Sequence, residues 1–148
     1  MASGIMSGVS SRVEHAHLIQ LNRIRTEVGD LVACEKGGGI PFDPMRTYYL
    51  YDVPDTSQRG GHAHRELQQL IVAVSGSFKV VLSDGTEEKV VVLRKPTEGL
   101  LLPPGLWRTL EDFSGGAICL VLASHEYDEG DYIRDFNDFK LWKELGCG

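Results

Sequence analysis

Arg59-Gly60-Gly61-His62-Ala63-His64 is the stretch whose reading decides the fold. In an extended strand residues i and i+2 share a face, so His62 and His64 project side by side. Two imidazoles so placed suit a metal pair or an acid–base pair, and equally a hydrogen-bonded or surface pair. Outward from this stretch, to about Ser124, short runs of Val, Ile, Leu, Thr and Tyr alternate with Gly, Pro and Asp. That pattern predicts strands over 17–22, 30–34, 46–52, 61–64, 69–75, 77–82, 88–93, 99–102, 107–111 and 117–123. Ser83-Asp84-Gly85 predicts a hairpin turn, because Asp-Gly accepts positive φ cheaply. Pro103-Pro104-Gly105 separates two further strands. Strands this short and this closely spaced, with no helix among them, point to an all-β sandwich or barrel.

The register changes at Asp128-Glu129-Gly130-Asp131. Tyr132, Phe136 and Phe139 then recur at helical spacing, which predicts a C-terminal helix over about 131–145, stopped by Gly146. Residues 1–12 are Gly/Ser-rich and read as a flexible segment, leaving 13–148 as a single domain.

The chain has 148 residues, 15 Lys+Arg against 21 Asp+Glu for a net charge of −6, and 42% hydrophobic residues. An acidic balance argues against non-specific nucleic-acid binding, while leaving a small anionic ligand open to a few local arginines. Apolar runs such as Leu70–Val74 are far too short to span a membrane, and the first ten residues lack the basic start of a secretion signal. Cys34, Cys119 and Cys147 form no C-x-x-C, so no disulfide framework is expected and the cytoplasm is the expected compartment.

Gln69 and Gly76 follow His64, and Pro103-x-Gly105-x-x-Arg108 follows later. This resembles the two signature motifs of the cupin superfamily, in which H-x-H, a Glu and a later His converge inside a small jelly-roll-like β-barrel. Residue by residue, Gln69 stands at the Glu position and Arg108 at the second-motif His. An amide and a permanent cation replace two ligands, and guanidinium has no lone pair for a metal. No metal and no other cofactor is therefore expected. Alternation puts Arg46, Tyr48 and Leu50 on one face of their strand. Arg59 precedes Gly60-Gly61, where small residues permit close approach by a ligand. Trp107 suits either stacking on a ligand ring or a core position. His15, His17 and His125 have no partner spacing.

Longer strings narrow the resemblance: Tyr49–Pro54, Arg59–His64, Val74–Gly85, Leu102–Trp107 and Tyr127–Phe136. These are similar to the nucleotide-sugar 3,4-ketoisomerases, which act on dTDP-4-keto-6-deoxy-D-glucose in deoxysugar biosynthesis. The resemblance implies a metal-independent isomerase that moves a proton from C3 to C4 through an enediol(ate). It implies His62 as base, His64 as its orienting partner or second proton carrier, and Tyr48 as a donor to a sugar oxygen or a proton relay. Arg108 would stabilise the enediolate or anchor the diphosphate. Arg46 and Arg59 would hold the diphosphate, with Gln69 hydrogen-bonding in the site and Trp107 beside the substrate. Arg108 cannot deliver a proton, which favours a relay and the gluco 3-keto product. A homodimer is implied as well. The alternatives are a metal-free nucleotide-sugar 3,5-epimerase and a non-catalytic nucleotide-sugar-binding cupin.

Overall fold

The computed structural model describes residues 11–54 and 56–146; Cys147 and the first ten residues of the expected flexible segment lie outside them. The strands are β1 (His17–Gln20), β2 (Asn22–Thr26), β3 (Gly29–Ala33), β4 (Arg46–Leu50), β5 (Arg59–His64) and β6 (Gln69–Ser75). They continue with β7 (Phe78–Ser83), β8 (Glu88–Leu93), β9 (Glu98–Leu102), β10 (Trp107–Glu111), β11 (Ile118–Ala123) and β12 (Tyr132–Ile133), and helix α1 (Phe136–Glu144) follows. One five-stranded sheet runs β1-β9-β6-β11-β4, a second runs β12-β5-β10-β7-β8, and β2-β3 form a separate hairpin. All the ladders are antiparallel. This is the cupin-like arrangement of two sheets closed around one core.

Alternation along the strands sends Ile71, Val80, Leu82, Leu100, Leu102 and Val121 into that core, where Phe78 stacks on Phe113 at 5.0 Å. A second apolar layer of Leu21, Ile40, Phe42, Leu70, Val72 and Leu122 covers the outer side of the first sheet. The expected 83–85 turn joins β7 to β8, with Gly85 at φ +97°. Its carboxylate is the hub of the corner. Asp84 accepts from the N–H groups of Thr86 (3.0 Å), Glu87 (2.8 Å) and Val13 (3.1 Å) and from the Thr86 hydroxyl (2.9 Å).

Three sequence expectations change. The single strand expected over 17–22 divides at Leu21, which turns inward while its N–H bonds the Thr97 carbonyl. Beyond it, β2 pairs with β3 although all its residues are exposed, so no inward–outward alternation marks it. The helix begins at Phe136, capped by the Asp135 carboxylate on the Asp138 N–H, and not near 131. Glu129–Asp131 form a 3-10 turn, and Tyr132–Ile133 add to the edge of β5, where ladder bonds and burial of Ile133 outweigh the helical pattern. Finally, Ser11 is anchored: its carbonyl accepts from Nζ of Lys143 at 2.7 Å.

Candidate active site

Between the two sheets lies a cavity of about 290 Å³. Tyr48 and Arg46 of β4 and Gln69 of β6 enter it from the first sheet; His62 and Arg59 of β5 and Arg108 of β10 enter from the second, with Tyr132 and Arg134 beside them. Arg59 and His62 are three apart, so a regular strand would point them to opposite faces. The β5–β10 register slips between the pairs Arg108↔His62 and Leu110↔Arg59, and this bulge at Gly60-Gly61 lets both residues face the cavity.

His62 and His64 form a pair of rings at right angles, with Nε2 to Nε2 at 3.1 Å. Behind them, Nδ1 of His64 lies 3.0 Å from Oδ2 of Asp131. His64 is fully buried, and the Tyr132 ring covers both imidazoles at 4.9 and 4.4 Å. Burial first, and then the charges of Arg108 and Arg134, depress both histidines, His62 to about 2 and His64 to about 4. Both shifts favour the neutral rings near neutrality, although the Asp131 carboxylate opposes the shift at His64. Burial alone would raise the Asp131 carboxyl, but the His64 ring and the N–H groups of Glu66 and Leu67 outweigh it and hold it low, as a carboxylate.

Arg108 is 2% exposed. It donates to the Gln69 carboxamide oxygen and, at 3.1 and 3.3 Å, to the Leu106 carbonyl. No carboxylate pairs with it among the described residues. Burial lowers it to about 10, so it keeps its charge near neutrality. Gln69 in turn donates to the Tyr48 hydroxyl oxygen at 3.2 Å. That leaves the phenol proton free to point into the cavity. Burial raises the Tyr48 phenol despite the nearby guanidinium, keeping it protonated.

The rim is cationic. Arg46 lies over the rings of Tyr48 (4.6 Å) and Tyr127 (5.2 Å). Arg134 lies 4.1 Å over the Tyr132 ring and is held there by Glu129 at 2.8 and 2.9 Å. Arg59 completes the set. Trp107 does not line this cavity. It occupies the other face of β10 and packs against Phe136 and Phe139 of α1, at 5.3 and 5.8 Å, so its expected place beside the substrate is replaced by helix packing. Sequence spacing singles out none of Asp131, Tyr132 and Arg134 as site residues, although the Tyr127–Phe136 string contains all three.

A divalent ion does not fit this donor set. Gln69 and Arg108 are bonded to each other, and a guanidinium occupies the place of a third imidazole. Among the described residues no group of three or more His, Cys, Asp or Glu converges for a metal. The arrangement is instead a neutral base, a buried cation and a phenol around a polyol-sized space.

Residues 14–144 match the model of a protein family described as FdtA: WxcM-like, C-terminal. The chain belongs to the FdtA family. This FdtA-family chain is similar to the TDP-4-oxo-6-deoxy-alpha-D-glucose-3,4-oxoisomerase of Aneurinibacillus thermoaerophilus, 41% identical over 125 residues, which covers 84% of this chain and 90% of that one. Among solved structures, the 3,4-ketoisomerase QdtA of Thermoanaerobacterium thermosaccharolyticum in complex with TDP superposes with a TM-score of 0.86 at 37% identity, covering 90% of this chain and 97% of that one. A mutant of the same enzyme in complex with TDP-4-keto-6-deoxyglucose gives 0.85 at 37%, over 88% and 94%. The FdtA-family chain is thus an isomerase of the sugar ketoisomerase type, in keeping with the cupin barrel. Among its described residues no helix is long and apolar enough to cross a membrane.

Proposed function

We infer that this protein converts TDP-4-keto-6-deoxy-D-glucose to the corresponding 3-keto sugar by proton transfer, without a metal. The names of its relatives support the substrate and reaction class. The observation that carries the reading in the molecule itself is a buried guanidinium that pairs with no carboxylate among the described residues, set next to the His62 imidazole. A desolvated cation with no direct ion pair among the described residues has little use in a resting fold. It stabilises negative charge that develops during turnover.

His62 takes the C3 proton; the electron pair becomes the C3–C4 double bond and the C4 oxygen takes the charge, opposite Arg108. Moving the hydroxyl proton from O3 to O4 and placing a proton on C4 completes the exchange of ketone and alcohol. Ring carbons trade oxidation states internally, so no redox partner is needed. Tyr48 enters from the sheet opposite His62. A planar enediolate between them loses its proton on one face and gains one on the other. In the gluco sugar H3 and H4 lie on opposite ring faces, so this placement supports the gluco product. Arg46, Arg59 and Arg134 suit the diphosphate, since a fork of N–H donors matches phosphate oxygens. A homodimer is the assembly we propose, on family resemblance.

The test is incubation with TDP-4-keto-6-deoxyglucose in D2O, followed by NMR of the sugar ring. The expected product carries a ketone at C3, deuterium at C4 and hydrogen at C5, with a large H4–H5 coupling in the H2O control. Deuterium at C5 would convert the reading to a 3,5-epimerase, and an unchanged sugar would sink it.

A further inference from the structure

The base named above has a difficulty that the surrounding residues resolve. An imidazolium at His62 would face Arg108 from β10, Arg134 beyond β12 and Arg46 from β4, beside the Tyr48 hydroxyl and the Tyr132 ring. A ring in that setting is a weak proton acceptor. Among the described residues, the carboxylate connected to it stands two hydrogen bonds away, through His64.

The hydrogen bonds fix the tautomers. Asp131 is a carboxylate and only accepts, so Nδ1 of His64 carries the proton. A neutral His64 then presents a bare Nε2, and the 3.1 Å contact to His62 requires the proton on Nε2 of His62. Nδ1 of His62 is left with its lone pair. Among the described residues it has no hydrogen-bond partner, while the ring borders the cavity. The second anchor of Asp131 is its backbone cradle. Its oxygens accept from Glu66 N–H at 2.8 Å and Leu67 N–H at 3.3 Å, which fixes the carboxylate behind His64.

We propose that Asp131 is the terminal proton acceptor of the isomerase, acting through His64 and His62 as a three-membered relay. The proposal rests on the ketoisomerase reading above. As the C3–H bond breaks, its proton binds Nδ1 of His62. The Nε2–H bond of His62 breaks and its proton passes to Nε2 of His64. The Nδ1–H bond of His64 breaks and its proton passes to Oδ2 of Asp131. The C3 electron pair stays on the sugar. Both rings end neutral with their tautomers exchanged, and the only charges changed are the carboxylate, now neutral, and the enediolate, now negative beside Arg108. No imidazolium forms among the arginines. Between turnovers the transfers reverse: Asp131 returns its proton to Nδ1 of His64, the Nε2 proton of His64 returns to Nε2 of His62, and the proton on Nδ1 of His62 leaves to water entering the emptied cavity, which restores the resting tautomers. Asp131 touches no reacting atom, so it is a positioning residue that works through two others.

The relay is read first on the resting protein. 15N NMR of histidine-labelled full-length chain, with and without TDP, should show His64 protonated at Nδ1 and His62 at Nε2, with neither ring charged near neutrality. His64 protonated at Nε2 instead would overturn the proposal whatever the activity. The second measurement is Asp131→Asn, which keeps an acceptor for His64 but takes no proton. It should lower kcat by about 100-fold or more while KM and TDP affinity stay within about threefold. His64→Asn should lose a similar factor, and the double variant no more than the larger single loss, because the members act as a unit. A loss under about tenfold for Asp131→Asn with TDP binding retained, or losses that multiply, would overturn the relay. If Asp131→Asn no longer binds TDP, the wild-type tautomers decide alone. An inactive wild type on TDP-4-keto-6-deoxyglucose would instead strike the substrate reading and leave the tautomer result standing.

Discussion

His62 and Arg108 are direct partners across the β5–β10 ladder, so the imidazole and the buried guanidinium share one wall of the cavity. Among the described residues amide and carbonyl oxygens hold Arg108, which gives each of its nitrogens a partner without cancelling its charge. Arg108→Gln should lower kcat by about 100- to 1,000-fold with KM little changed, since the lost interaction forms as charge develops on the sugar. Removing a buried, unpaired charge also relieves the fold, so the melting temperature should be no lower than wild type. Steady-state kinetics and thermal melts on the same preparation check both halves, and a parallel fall in stability would show that the guanidinium serves packing.

The depressed histidines set a pH dependence with a definite sign. Native His62 and His64 bind protons only near 2 and 4, whereas an unfolded imidazole binds one near its ordinary value of about 6.5. The unfolded chain therefore holds more protons than the native one in this window, and stability falls as pH drops from about 6.5 toward 4. Activity should behave differently. Since the native rings stay neutral, kcat should remain level on the acid side through about 6.5 for as long as the protein stays folded. Melting curves and initial rates across the same pH series check this; a kcat limb centred on the ordinary imidazole value would mean that His62 charges freely.

Trp107 carries a prediction opposite to the one its neighbour Arg108 suggests. Its ring lies between β10 and α1, against Phe136 and Phe139, and Gly61 on the adjacent strand borders it, where any Cβ would come within 3.8 Å of the indole. Trp107→Ala should destabilise the protein by about 2 to 4 kcal/mol through lost helix packing. KM for the nucleotide sugar should stay as it was. Denaturant melts and kinetics below the new midpoint check this, and a raised KM at unchanged stability would restore the ring to the substrate.

Two strands that build the site are legible for different reasons: the burial of β4 alternates, with Arg46, Tyr48 and Leu50 inward, whereas β6 is a short apolar run buried continuously from Gln69 to Ala73. β2 is not, because a hairpin strand exposed on every residue has no pattern to read. Tyr132 misleads for another reason. Its spacing to Phe136 and Phe139 is helical, yet a two-residue pairing with the edge of β5 claims it, and no local periodicity records the presence of a distant strand edge. The same holds for Asp131, 67 residues from the histidine it binds. H-x-H spacing gives the pair, whereas the carboxylate behind it is set only by the return of the chain past β5. Arg59 stands out through its glycines, though the physical cause is a bulge and not merely small size.

Asp84 supplies a stability test far from the cavity. One carboxylate holds the β7–β8 turn through Thr86 and Glu87 and reaches the N–H of Val13, tying the N-terminal segment to the barrel. Burial alone would raise this carboxyl; the backbone donors of Glu87 and Thr86, the Thr86 hydroxyl and the Val13 N–H outweigh it and bring the group to about 2. Asp84→Asn retains one acceptor oxygen but sets an NH2 group against N–H donors, while Asp84→Ala removes the acceptors outright. Each leaves buried N–H groups unpaired, so Asp84→Ala should cost about 2 to 3 kcal/mol, with kcat on the surviving folded enzyme unchanged. The carboxylate's contribution is present above the ordinary aspartate range and is lost as pH falls toward 2. The difference in stability between wild type and Asp84→Ala should therefore narrow in acid, and equal spacing of their melting curves at every pH would show that the charge of Asp84 has no part in holding the corner.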